Sequence, residues 1–260
     1  MFTVYDSYTL NRSAFLVLML VRYYIFLGDD IMSTISLSKN TLSILKVAAQ
    51  INNSILFKPG QEIKTATESG VIMLHATIDE TWPREFAVYE LNRLLQVLNQ
   101  SAMSGAQLNF EDGQEYVEIK ANRSKVRYNF SDASMISYQD RAIVINPADV
   151  NLSFLISEQT LADSRKMAGV LGHTHIKFKV ENNKVLMITS NPTLDGMSNE
   201  YTTEIELAEG ETYPDGEFSI KLENLILLDG SYRVTIFKGL AVEFAHQAIN
   251  ARIFLGLERK

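Results

Sequence analysis

The strongest constraint on this chain is a segment that occurs twice. Phe86-Ala-Val-Tyr-Glu-Leu-Asn-Arg-Leu-Leu-Gln-Val-Leu-Asn-Gln100 reads as a short strand that turns into a helix. Leu91, Leu94, Leu95 and Leu98 follow the i, i+3, i+4, i+7 spacing that puts them on one helix face, and Glu90, Arg93, Gln96 and Asn99 take the other. The second copy is Phe218-Ser-Ile-Lys-Leu-Glu-Asn-Leu-Ile-Leu-Leu-Asp229, in which Phe218 aligns with Phe86, Ile220 with Val88, Asn224 with Asn92 and Leu227 with Leu95. Strand-rich sequence follows each copy. One supersecondary plan used twice restricts the chain to two like units.

Composition is compatible with this. A length of 260 residues suits one large domain or two ordinary ones, and 46% hydrophobic with 21% charged residues is the balance of a globular protein. The absence of cysteine excludes a disulfide scaffold and thiolate metal sites, and suits a reducing cytoplasm. A net charge of −7 excludes a uniformly basic nucleic-acid binder but not a locally less acidic surface.

Residues 1–31 differ from the rest. The apolar run from Ala14 to Leu27 is cut by Arg22 and is shorter than the roughly 20 residues of a membrane helix. It also lacks a strongly basic leader and an Ala-x-Ala cleavage site. A third reading remains beside anchor and leader: a non-native or unstructured extension. Gly28-Asp-Asp can be encoded by a purine-rich run just before an ATG at Met32, as a ribosome-binding site translated in error would be. N-terminal sequencing of protein expressed from the native DNA decides among them.

From Met32 the pattern predicts a helix over 38–50 with Ser38 as N-cap, strands at 55–57, 62–67 and 71–78 with a turn at Glu68-Ser-Gly70, and then the first repeat. Strands at 107–110, 116–120 and 125–130 follow. Residues 131–149 read as an extended connector whose apolar residues must pack on something. The second half repeats the order: strand 150–156, helix 157–171 with a stripe of Leu161, Ser164, Met167, Ala168 and Leu171, hairpin 175–189, strand 200–207, the second repeat as a helix over 220–230, and strands near 232–237, 240–244 and 251–257.

No phosphate-binding glycine loop, dinucleotide fingerprint or nucleophile elbow occurs. His173-x-His175 has a metal-pair spacing but no third ligand, so both are read as ordinary strand histidines. No catalytic residue, metal or cofactor is expected, and the chain is read as no enzyme. On pattern alone, a two-domain β-rich structural or virion assembly protein that encircles no DNA fits as well.

Particular residues go further. Leu37-Ser-Lys-Asn-Thr41 with Leu45-Lys46, Ile51-Asn-Asn-Ser54, Lys58-x-Gly60-Gln61-x-Ile63, Phe86-Ala-Val-Tyr-x-Leu91-Asn92 and Glu111-Asp-Gly113 resemble the sliding clamps, or DNA polymerase processivity factors, of T4-type bacteriophages. Val180-Glu-Asn-Asn-Lys-Val185 and Gly230-Ser-Tyr-Arg-Val234 match more by pattern. The likeness spans nearly all of 32–260 and none of 1–31.

The resemblance implies an α+β DNA-clamp fold with two similar domains, 32–130 and 150–260, joined by the connector 131–149. Helices would line a ring and antiparallel sheets would form its outside. It implies a homotrimer closed head to tail around double-stranded DNA without sequence preference. The ring would tether the replicative DNA polymerase, be loaded by a separate clamp-loader ATPase, serve late-transcription factors, and work in the cytoplasm of the infected host. Lys39, Lys46, Arg93, Arg165, Lys166 and Lys221 are the expected DNA-facing cations. Across the four expected helices they stand against five acids, a weakly positive balance in an acidic chain. Met135, Ile136, Tyr138, Ile143, Val144 and Phe254 are expected to border a pocket for partner peptides. Arg123, Lys125 and Arg127 also cluster, on a strand.

Overall fold

The computed structural model describes residues 32–136, 146–182, 184–192, 199–207, 213–238 and 241–258. The expectations for residues 1–31 and for Tyr138, Ile143 and Val144 lie outside the described residues.

Strand β1 (Ser33–Ser36) leads into helix α1 (Lys39–Ile51). The Ser38 side chain accepts the Thr41 N–H as the sequence predicts, and Glu80 adds a carboxylate that accepts the Ser38 N–H and the Thr41 hydroxyl. A negative group at this end is favoured by the helix dipole. Strands β2 (Ile55–Phe57), β3 (Gly60–Ala66), β4 (Ile72–Trp82) and β5 (Phe86–Val88) follow, and then helix α2 (Leu91–Leu98). After them come β6 (Gln107–Phe110), β7 (Tyr116–Ala121) and β8 (Ser124–Asn129). The second half runs β9 (Val150–Ile156), α3 (Glu158–Leu171), β10 (His175–Glu181), β11 (Lys184–Ser190), β12 (Tyr201–Ile205), β13 (Gly216–Lys221), β14 (Tyr232–Phe237), β15 (Ala241–His246) and β16 (Ala251–Gly256).

These strands form antiparallel sheets in the orders β1-β6-β7-β8, β12-β11-β10-β13 and β3-β4-β16-β15-β14-β9, with β2 and β5 paired separately. The largest sheet takes two strands from the first half and four from the second, joined where Ile253 faces Leu74 and Phe254 faces Met73. Alternation holds on β4, whereas β15 and β16 also bury Glu243 and Phe254 between core residues. Leu74, Ala76, Ile253, Leu255, Phe244, Val234 and Phe154 are buried in one continuous core, while their neighbours along each strand point to the other face. Helix α1 packs across β4 and against α2, and α3 packs on β11 and β12.

Two expectations are corrected here. Helix 220–230 does not form. Strand β13 runs to Lys221, a single 3-10 turn covers Leu222–Asn224, and the chain then continues irregularly. The Leu225 carbonyl, which a helix would pair with the Asp229 N–H, accepts instead from Arg165 sixty residues upstream, and the Leu228 carbonyl accepts from the Tyr232 hydroxyl. The second correction concerns α3, which buries Leu161, Ser164 and Ala168 but leaves Met167 37% exposed.

Candidate nucleic-acid interface

Three α-helices are present among the described residues, and they carry five of the six expected cations. Lys39 and Lys46 are exposed on α1, in a solvent-facing row with Ser43 and Gln50 that contains no acid. Thr41, Ile44, Leu45 and Ala48, on the opposite face, are buried and fix how the row is turned. On α2 the exposed residues are Asn92, Arg93 and Gln96, and Arg93 pairs with Glu90 at 2.8 Å. The α2 entrance is tied to α1 by Asn53, whose carbonyl accepts the Leu91 N–H and whose side-chain oxygen accepts the Asn92 N–H at 2.8 Å. The two polar rows of the first half are therefore held as one surface.

The second half is arranged differently. Arg165 lies on α3, but its guanidinium donates to the Leu225 carbonyl, and burial of that group holds its pKa below the usual arginine value. Lys166 is exposed. Lys221 ends β13 rather than sitting in a helix, and pairs with Glu223 at 3.6 Å. The structure thus brings Lys39, Lys46 and Arg93 together on adjoining helices and gives Arg165 a structural bond.

Of the expected peptide-contacting residues described, Met135 is 61% exposed. Ile136 is buried in a small cluster with Leu56 and Ala87. Phe254 is 2% exposed on the face of β16 opposite Ile253, with the Arg252 guanidinium 5.1 Å from its ring and buried Glu243 bonded to Arg252. Ile136 and Phe254 are thus covered in the isolated chain. Sequence reasoning missed a cleft of about 370 Å³ where the β3–β4 turn (Thr67, Ser69, Val71) meets Gly256, Leu257 and Glu258. The turn was legible in Glu68-Ser-Gly70; its meeting with the end of β16, through a Gly256 N–H to Val71 carbonyl bond of 2.8 Å, was not.

The two histidines are both expected on a strand, but only His175 is on β10, and His173 precedes it. His173 is buried and bonds the Thr189 hydroxyl at 2.9 Å, whereas His175 pairs with Glu258 at 2.9 Å. Among the described residues no cluster of three His, Cys, Asp or Glu side chains is placed to hold a metal.

Comparison with known proteins bears on what this surface serves. The family described as DNA polymerase processivity factor matches residues 38–145. The sliding clamp of Vibrio phage KVP40 is 26% identical over 217 residues, 80% of this chain and 96% of that protein. The sliding clamp of Enterobacteria phage T4 is 24% identical over 77% of this chain and 86% of its own length. Among solved structures, the Proliferating Cellular Nuclear Antigen of Entamoeba histolytica superposes with a TM-score of 0.63 at 15% identity, over 88% of this chain and 98% of its own. PCNA from Thermococcus kodakaraensis gives 0.65 at 13% identity, over 86% and 99%. The fold is therefore the α+β, antiparallel DNA-clamp fold, and the phage relatives extend the family match across most of the second half. The chain is similar to the phage sliding clamps over most of its length and matches the DNA polymerase processivity factors over residues 38–145, which supports a non-enzymatic sliding clamp that confers processivity on a DNA polymerase.

Proposed function

We propose that three copies of this chain close head to tail into a ring around double-stranded DNA. In this reading residues 32–130 and 150–260 are two like domains joined by 131–149, and Lys39, Lys46 and Arg93 face the duplex. A ring holds a polymerase by topology rather than by tight local binding, so its inner contacts need only be few and directed at phosphates.

The observation that carries the closure is a pair of open sheet edges of opposite charge, one in each half. Among the described residues strand β8 is bonded only to β7, and it exposes Lys125 and Arg127, with Arg123 just before it. Among the described residues strand β12 is bonded only to β11, and it exposes Glu204, with Glu200 and Glu206 at its ends. An unpaired edge is a template for another strand, and opposite charges select the heterologous pairing over either like pairing. Within one subunit Lys125 rests on Glu118 and Glu204 on Lys184, both at 3.0 Å, so these groups exchange partners on closure.

A separate ATPase opens and loads the ring in the cytoplasm of the infected host. The polymerase, and late-transcription factors, dock by short apolar peptides near Met135 and the cleft beside Val71, and the ordered end of β16 forms its floor. Size-exclusion chromatography with light scattering tests closure: the mass is that of three subunits, Arg127→Glu lowers it toward one, and adding Glu204→Arg restores it. A monomer at high concentration, or full assembly by the Arg127→Glu variant, refutes the interface.

A further inference from the structure

Resting on the ring reading above, we propose that the duplex is held by the first half of each subunit, and that the α3 face of the second half stands off the DNA. The two halves share a plan but differ in surface chemistry. The α1–α2 surface carries Lys39, Lys46 and Arg93 against the single acid Glu90. The α3 surface and the turn beside it carry Arg165, Lys166 and Lys221 against Glu158, Asp163, Glu223 and Asp229. Arg93 is paired with Glu90, as Arg165 is with the Leu225 carbonyl and Lys221 with Glu223, so the contrast rests on Lys39 and Lys46 and on the number of acids.

Geometry sharpens the contrast. Lys39 and Lys46 are seven residues apart on one row, about 10 Å along the helix axis and near three base-pair steps of duplex. Two ammonium groups so spaced follow a phosphate backbone, and Ser43 and Gln50 continue the row with uncharged hydrogen-bonding groups. On α3, whose N-cap Ser157 matches Ser38, the corresponding solvent-facing row is Glu158, Ala162, Arg165 and Gly169, with the Arg165 guanidinium bonded to the Leu225 carbonyl and Val170 beside the row 74% exposed. A phosphate brought there meets a like charge and then apolar groups that strip its water and return no hydrogen bond. The second half also has only a 3-10 turn where the first has α2, so it offers a shorter polar row. Amides and two lysines per subunit suit sliding, since amide contacts form and break without exchanging counterions.

The test is photo-cross-linking of the full-length ring, loaded on primed circular DNA by its cognate loader. Benzophenone side chains replace Gln50 in one variant and Val170 in another, and wild-type protein is assayed in parallel for polymerase product length. The expected yield from position 50 is at least about fivefold that from position 170. In parallel, Lys39→Glu with Lys46→Glu shortens products about tenfold near physiological salt, while Lys166→Glu changes them less than about twofold. Equal cross-linking from the two positions, with wild-type processivity intact, overturns this proposal alone. No cross-linking from either, with no lengthening by wild type, overturns the ring reading and this proposal with it.

Discussion

The two copies of the repeat make different energetic demands, and that difference can be measured. Phe86 is 5% exposed and lies in an aromatic cluster: stacked on Phe57 at 4.5 Å, edge-on to Trp82 at 5.4 Å, and 5.1 Å from both Phe110 and Phe130. Truncating such a ring to alanine removes its transfer energy and leaves a cavity, a cost of about 3–5 kcal/mol. Phe218 is half-buried on β13 opposite Phe178, at the margin of the core. Losing part of one ring's burial there costs about 1–2 kcal/mol. The expected gap is about 2–3 kcal/mol, a factor of roughly 30–150 in the folding equilibrium. Urea titration reads it by far-UV circular dichroism and by the fluorescence of Trp82, the only tryptophan of the chain and 1% exposed. Phe86→Ala should lower the midpoint much more than Phe218→Ala at unchanged slope. Equal shifts would mean that the repeat is energetically symmetric and the burial argument is wrong.

Two further outcomes concern the second repeat. The Tyr232 hydroxyl donates to the Leu228 carbonyl at 2.7 Å, and burial pushes the phenol pKa well above its usual 10.0. The unfolded chain releases this proton first, so stability is level below pH 10 and falls by about 1.4 kcal/mol per pH unit above it, up to the raised folded value. Tyr232→Phe should cost about 1 kcal/mol at neutral pH and remove that share of the alkaline slope, read by urea titration at several pH values. Gly230 sits at φ +137°, where a side chain is strained and a Cβ would collide with the His246 ring. That ring is fixed, its Nδ1 accepting the Ala248 and Ile249 N–H groups at 3.0 and 2.9 Å. Gly230→Ala should lower the melting temperature by roughly 3–10 °C, seen by calorimetry.

What the sequence carried well was local. Ser38 and Ser157 announced their helices because a hydroxyl three residues before a free N–H is a short-range geometry. Alternation in Ile72–Trp82 and Ala251–Gly256 marked strands because one face meets the core, although both faces of Phe254 and its neighbours proved to be covered. Among candidate site residues, Lys39 and Lys46 were readable because α1 has an unbroken buried face that leaves them only one way to point. Arg165 was not readable in the same way. Its spacing off the apolar stripe suggested solvent, but its guanidinium reaches a carbonyl sixty residues downstream, a contact with no period in the sequence.

That single bond also explains why the repeat misled for 220–230. An amphipathic pattern states which residues prefer burial, not which backbone groups are free to bond each other. In the first copy the helix forms because Asn53 satisfies its first donors. In the second, Arg165 and Tyr232 claim the carbonyls of Leu225 and Leu228, so the leucines can be buried without a helical turn between them. The exchange commits a cation of the second half to its own backbone.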